Sequence, residues 1–219
     1  MTGEPARATV VLATHNPGKL AELRRILAAS RVSVDVADLD DHPDMPQVAE
    51  TGSTFAENAL LKARAVAAHT GLPAVADDSG LCVDALNGMP GVLSARWSGR
   101  HGDDEANLRL LLAQLADVPA DRRAAHFACA AALVLPSGAK QITEGTVHGW
   151  LTDAPRGTNG FGYDPIFVPG PASLPAASLT TAGLTTAQMP AEEKDAISHR
   201  GKALRALAPI IAALLAPVR

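Results

Sequence analysis

The order of apolar and polar positions along the chain marks out alternating strands and helices. Residues 9–14 (TVVLAT) are apolar and β-branched over the length of a strand and read as buried. The run breaks at His15-Asn16-Pro17-Gly18 and passes into a helix over 19–29 whose Leu20, Leu23, Ile26 and Leu27 share one face. Residues 32–37 read as a second strand, and an acidic, proline-containing loop follows to Thr51. Thr54 with Glu57 three positions on is a capping box, opening a helix to about Thr70 that Gly71 and Pro73 stop. Residues 73–76 read as a strand ending at Asp77-Asp78-Ser79-Gly80, with a glycine-rich loop beyond it to about Gly102. Asp103 or Asp104 caps a helix with Leu108, Leu111, Leu112 and Leu115 on one face. Residues 124–135 and 139–148 read as a hairpin around Pro136-Ser137-Gly138, residues 157–162 as a loop and residues 165–168 as a short strand. A last helix starts at about Ala191 or Ala203 and runs to Ala216, with Pro209 marking a break or kink. Early strand–helix alternation followed by a hairpin implies an α/β fold with a mixed sheet.

Composition narrows what such a fold can do. The 219 residues are 47% hydrophobic and 19% charged with net charge −4, which excludes a disordered chain and leaves enough apolar surface for a real core. No apolar run is long enough to span a membrane, the polar start is unlike a signal peptide, and the mild acidity argues against a nucleic-acid binder. Cys82 and Cys129 lie in apolar surroundings and read as reduced core thiols, consistent with a cytoplasmic protein. Two rarities carry more information. Three of the seven aromatics fall between Phe161 and Phe167, and only five lysines (Lys19, Lys62, Lys140, Lys194, Lys202) stand among fourteen arginines.

Five segments hold the candidate chemistry. In Thr14-His15-Asn16-Pro17-Gly18-Lys19 a strand passes through a small polar turn into a helix with a lysine in its first turn, a setting that suits phosphate. A capped turn with a solvated lysine has the same pattern. Asp77-Asp78-Ser79-Gly80 follows a strand, where ligands of open α/β sheets bind. Alternation along a strand turns one carboxylate toward the site, and Asp78 is the candidate magnesium ligand or general base. Glu50 precedes the helix that carries Lys62, so the pair is either a solvated surface feature or an approach to a metal and an anion. Gly160-Phe161-Gly162-Tyr163-Asp164-Pro165 sets aromatics among glycines, which suits stacking on a planar base or simply anchoring a loop. Lys194 and Ser198-His199-Arg200-Gly201-Lys202 concentrate donors in an acidic protein.

Taken together in this order, the segments resemble the inosine triphosphate pyrophosphatase family, the dITP/XTP pyrophosphatases that hydrolyse non-standard purine nucleoside triphosphates. The resemblance runs from about Val10 to Leu207. It rests on Thr14-x-Asn16-x-x-Lys19, Glu50-Thr51-Gly52, Phe55-x-Glu57-Asn58-Ala59 with Lys62, Ala76-Asp77-Asp78-Ser79-Gly80-Leu81, Pro90-Gly91 with Ser94-Ala95-Arg96, Phe161-Gly162-Tyr163-Asp164-Pro165-Ile166-Phe167, and Ser198-His199-Arg200. It implies a two-lobed mixed sheet flanked by helices with a central nucleotide cleft, spanning 9–216 after a flexible 1–8. Within that span the stretch at about 169–190, uncharged and rich in Ala, Ser, Thr and Pro, reads from its own composition as a mobile insertion. The resemblance also implies a cytoplasmic homodimer and Mg2+-dependent release of pyrophosphate.

Position by position, the resemblance gives Thr14, His15, Asn16, Pro17, Gly18 and Lys19 to the phosphates and makes Asp78 the general base beside magnesium. Glu50 or Glu57 becomes the second metal carboxylate, with Glu50 the better match. Ser79 and Lys62 become substrate contacts, and Phe161, Gly162, Tyr163 and Asp164 pack on base and sugar. Lys194, His199 and Arg200 complete the pocket. Two departures stand out: His15 where a small residue is common, and the length of 169–190. A pyrophosphatase for other nucleotides and a non-catalytic nucleotide-binding regulator are the competing readings; Glu50, Asp78 and Lys19 together disfavour the regulator.

Overall fold

The computed structural model describes residues 7–15, 17–171 and 183–215. Asn16, most of the expected N-terminal segment, the central part of the expected insertion and Ala216 lie outside the described residues. Six strands form one sheet: β1 (Ala8–Leu12), β2 (Val34–Ala37), β3 (Ala74–Val83), β4 (Ala124–Val134), β5 (Lys140–Leu151) and β6 (Phe167–Pro169), in the order β2-β1-β3-β4-β5-β6. β1 pairs in parallel with both β2 and β3, whereas β5 and β6 are antiparallel, so the sheet is mixed. The helices are α1 (Pro17–Ala29), α2 (Phe55–Thr70), α3 (Asp104–Gln114), α4 (Ala191–Ile197) and α5 (His199–Leu215). The α/β reading therefore holds.

The chain divides into two compact units, Met1–Asp78 with Ala130–Glu144 and Arg200–Arg219, and Ser79–Cys129 with Gly145–His199. Unit 1 has a small-residue core. Ala59, Ala63, Val66 and Ala67 of α2 pack with Val11, Ala74, Ala76, Ala130, Ala132 and Val134. Alanines on both surfaces let helix and strands approach closely. Unit 2 is filled by larger side chains, with Leu108 and Leu111 of α3 and Leu115 at its C-cap against Leu81, Val83, Leu151, Tyr163, Ile166 and Phe167.

Local signals were followed closely at α2. Thr54 accepts from the Glu57 N–H at 3.1 Å, while the Glu57 carboxylate turns back to the N–H and hydroxyl of Ser53 at 2.7 and 2.8 Å. Gly71 ends the helix in the left-handed region at φ 68°. Elsewhere the structure corrects the sequence reading. β3 does not end at Ala76: Asp77, Asp78, Ser79 and Gly80 are strand residues, and the strand continues to Val83. The C-terminal segment is two helices divided at Ser198, and α5 runs on through Pro209 without a break. Both cysteines are free thiols, Cys129 buried and Cys82 partly so.

Candidate active site

Extending β3 through the double aspartate puts two carboxylates on consecutive strand residues, and they take different partners, as the period-2 geometry requires. Asp77 is 4% exposed and receives the Lys19 ammonium on both oxygens, at 3.0 and 2.9 Å. The Arg200 Nε donates to Asp77 Oδ2 at 3.0 Å, and Arg200 Nη1 lies 3.7 Å from Glu22. Burial alone would raise the Asp77 carboxyl; Lys19 and Arg200 outweigh it and hold the group well below the usual carboxylate range. Lys19 comes from the first turn of α1, where it opposes the helix dipole, and the Asp77 carboxylate is the compensation.

Asp78 is served by α2. Asn58 Nδ2 donates to Asp78 Oδ2 at 3.0 Å, and Lys62, one turn further along the helix, places its ammonium 3.5 Å from Asp78 Oδ1 and 2.6 Å from Glu50 Oε1. Asn58 is fully buried and its Oδ1 accepts the Gly52 N–H at 2.8 Å, so the residue ties the loop before α2 to the strand carboxylate. Any side chain at position 52 would drive a Cβ to 2.7 Å from Asn58 Oδ1, which explains the glycine. Burial pushes the Asp78 carboxyl up against the opposing pull of Lys62 and Asn58, and Glu50 and Asp77 add to the rise. The same cluster acts on Lys62: burial would depress its ammonium, but Asp78, Glu50 and Asp77 overcome that and raise it. Neighbouring aspartates are thus driven in opposite directions. Asp77 is a fixed anion and Asp78 is the more basic of the two.

Of the remaining unit 1 candidates, Thr14 is half-buried at the end of β1, Gly18 is exposed in the first turn of α1, and Pro17 opens that helix. His15 turns outward, its Nδ1 3.2 Å from Asp40 Oδ1, so the unusual residue in this turn meets the acidic loop. Glu57 is committed to the capping box, whereas Glu50 shares Lys62 with Asp78.

Unit 2 holds the aromatic and basic candidates, with Ser79 half-buried in β3. Phe161 is 60% exposed, with the Lys194 ammonium 5.3 Å from its ring centroid. Lys194 pairs with Asp164, whose Oδ2 also accepts the Phe161 N–H at 2.9 Å and whose Oδ1 accepts from Thr186 at 2.8 Å. A Cβ at Gly160 would fall 2.2 Å from Asp164 Oδ2, so only glycine lets the backbone approach that carboxylate. Tyr163 is buried and donates to the Ser94 carbonyl at 2.9 Å; burial, with a smaller effect of Asp104, raises its phenol above the ordinary value. This tyrosine is therefore a core anchor within unit 2. His199 stacks on Phe127 at 4.9 Å and 11°, and Phe127 meets Phe167 edge-on at 4.7 Å. Asn58, Asp104 and Phe127 were not singled out as functional by the sequence reading; an asparagine in the buried face of α2 was the available signal for the first.

The mixed α/β fold thus carries a buried carboxylate–ammonium cluster in unit 1, chemistry suited to phosphate, and an exposed aromatic ring beside a lysine in unit 2, chemistry suited to a planar ring. A profile of the Ham1 family matches residues 10–210, and the chain belongs to that family. It is 59% identical over 206 residues to the dITP/XTP pyrophosphatase of Streptomyces coelicolor, an alignment covering 94% of this chain and 98% of that one. The protein of the same description from Mycobacteroides abscessus is 56% identical over 92% of this chain and 94% of its own. Among solved structures, the Mycobacterium abscessus nucleoside-triphosphatase (dITP/XTP pyrophosphatase) superimposes with a TM-score of 0.75 at 54% identity, covering 93% of this chain and 99% of that one. A Ham1 protein of Coxiella burnetii gives 0.81 at 40% identity, covering 93% and 98%.

Proposed function

We propose that this chain hydrolyses non-standard purine nucleoside triphosphates (ITP, dITP and XTP) to the nucleoside monophosphate and pyrophosphate, clearing them from the nucleotide pool. The observation that carries the reading is the double-aspartate strand, where Asp77 and Asp78 gather Lys19, Arg200 and Lys62 from three separate elements. The family relatives named for this activity support it over nearly the whole chain.

In the proposed reaction the oxygen of a water molecule bonds to the α-phosphorus and the bond from that phosphorus to the α–β bridging oxygen breaks, so pyrophosphate leaves. Asp78 orients the water and takes its proton at Oδ1, the oxygen turned toward Lys62, while Asn58 steadies Oδ2. Lys19, in the first turn of α1, and Lys62 spread the charge that develops on the phosphates. Asp77 keeps Lys19 and Arg200 in place and is too weak a base to compete for the proton.

The donor set fits magnesium. Glu50 and Asp78 converge on one ammonium and offer hard carboxylate oxygens, the donor type this ion prefers. Glu50 and Asp78 would hold it, and when bound it would supply Lewis-acid neutralisation of phosphate charge. Among the described residues no group of three or more His, Cys, Asp and Glu side chains is arranged to hold a metal ion.

On the nucleoside side, Phe161, Gly162 and Asp164 would pack on base and sugar, with Tyr163 anchoring their loop and Ser79, Lys194 and His199 as further contacts. A 6-oxo purine presents an acceptor where adenine presents an amino donor, so a guanidinium such as that of Arg200 would favour the former. We further propose that the enzyme acts in the cytoplasm as a homodimer. Sedimentation checks the assembly, and a monomer at working concentration refutes it. A panel of nucleoside triphosphates, with and without magnesium and assayed separately for pyrophosphate and orthophosphate, tests the activity. Pyrophosphate from ITP, dITP and XTP, lost on chelation, is the expected result; orthophosphate, or binding without turnover, overturns it.

A further inference from the structure

Accepting the nucleotide reading above, we propose that Asp104 is a positioning residue for the nucleoside base, tying the Phe161 platform to helix α3. The loop around Phe161 turns through positive φ at Gly157, Gly160 and Gly162 (84°, 79° and 60°), a backbone that glycine adopts readily and that does not hold its own shape. Two consecutive N–H groups in it are each taken by a carboxylate. The Phe161 N–H goes to Asp164, three residues on, a bond that shapes the turn but travels with it. The Gly162 N–H goes at 2.9 Å to Asp104 Oδ2, which is 58 residues away in sequence and sits on the first residue of a different element.

Asp104 is free for this task because the neighbouring Asp103 does the capping, accepting the Ala106 N–H at 3.2 Å. Immediately after Gly162, Tyr163 is pinned by its hydroxyl to the Ser94 carbonyl. Residues 162 and 163 are thus attached to two separate parts of unit 2, while the ring they carry forward at 161 stays 60% exposed. A stacking ring contributes most when its loop is ordered before the ligand arrives, since ordering it afterwards costs affinity. The Asp104 bond supplies that order at the residue next to the ring.

The test uses full-length protein. Asp104→Ala should raise KM for dITP about five- to tenfold, the scale of one exposed charge-assisted hydrogen bond, with kcat within about twofold. Asp104→Asn, which keeps an acceptor oxygen, should return KM to within about twofold of the parent. Asp103→Ala, which removes the helix cap without touching the loop, should lower Tm and leave KM unchanged. Inhibition by inorganic tripolyphosphate, which has no base, should be the same in all variants. A KM rise shared by Asp103→Ala, or a matching loss of tripolyphosphate affinity, would make Asp104 merely structural and overturn the proposal. The Gly162 amide gives a readout that needs no turnover: its hydrogen exchange, followed by NMR, should quicken at least about threefold in Asp104→Ala and not in Asp104→Asn. Unchanged exchange refutes the tether. A parent protein inactive on dITP refutes the nucleotide reading, whatever the amide does.

Discussion

In unit 1 the candidate side chains are charged, buried and held by one another; in unit 2 the candidate ring is exposed and held by its backbone. Lys19, Arg200 and Lys62 reach Asp77 and Asp78 from α1, α5 and α2, so each charge is fixed by a partner of opposite sign at low solvent exposure. Phe161 touches little itself, and its position comes from the N–H bonds of residues 161 and 162. The difference suits two kinds of recognition. Phosphates demand charge in set positions, and water must be kept from screening it. A purine face asks for a flat surface whose exposure does not matter until it is covered. Damage to unit 1 should therefore appear in turnover and stability, and damage to the unit 2 loop in KM alone.

The sharpest break comes at Asp78. Asp78→Asn keeps the shape and an acceptor for Asn58 but removes the base, so kcat should fall at least about a thousandfold, within the range for loss of a general base. Thermal unfolding should change little. Near-normal turnover would remove Asp78 from the mechanism. Asp77→Asn should act through stability as well as activity, because it strips the countercharge from Lys19 and Arg200. Breaking buried pairs of this kind costs on the order of 3 kcal/mol, to be read by chemical denaturation of the metal-free protein. Burial raises the Asp77 carboxyl but the two cations outweigh it, leaving the folded-state value depressed. Its contribution is therefore present above the unfolded-state pKa of about 3.9 and is lost as pH falls. The gap between the parent and Asp77→Asn should narrow below about pH 4; a gap that widens there would mean that Asp77 is not the stabilising anion.

These two carboxylates also show what could be read from sequence and what could not. The start and stop of α2 were legible because capping is local, with Thr54, Glu57 and Gly71 carrying the information within a few residues of where it acts. β3 was not, because Asp-Asp-Ser-Gly has the composition of a turn. Its strand conformation depends on distant partners, the sheet neighbours β1 and β4, and its Asp77 carboxylate meets Lys19 and Arg200 from 58 and 123 residues away, which no local pattern reports. The residues of the candidate site were legible as a set through family motifs, but not their division of labour. Arg200, expected at the base, also donates through Nε to Asp77; Tyr163, expected at the base, is a buried anchor; Asn58 stood in a motif without a task.

On the other side of the comparison, Phe161→Ala should raise KM for dITP about tenfold, the scale of one base–aromatic stack. Because the ring is 60% exposed, Tm should hold, and tripolyphosphate inhibition should be unaffected. A large fall in Tm would show Phe161 to be packing rather than platform, and an equal loss of tripolyphosphate affinity would erase the distinction between the two regions.

The smallest effect is expected at Glu57, and it settles which glutamate serves the metal. Both Glu50 and Glu57 lie near the start of α2, so position in sequence does not separate them. Their partners do. The Glu57 carboxylate accepts from the N–H and hydroxyl of Ser53, bonds that hold its pKa below the ordinary value and leave it exposed at a helix start. Glu50 instead shares Lys62 with Asp78. Glu57→Gln keeps an acceptor for Ser53, so it should lower Tm slightly and leave the magnesium requirement within about twofold. Glu50→Gln should raise the magnesium concentration for half-maximal activity at least about tenfold, the scale of a lost carboxylate ligand at a hard cation. If the two variants exchanged these behaviours, the carboxylate pair would be Glu57 with Asp78, and the Lys62 bridge would be an ordinary ion pair.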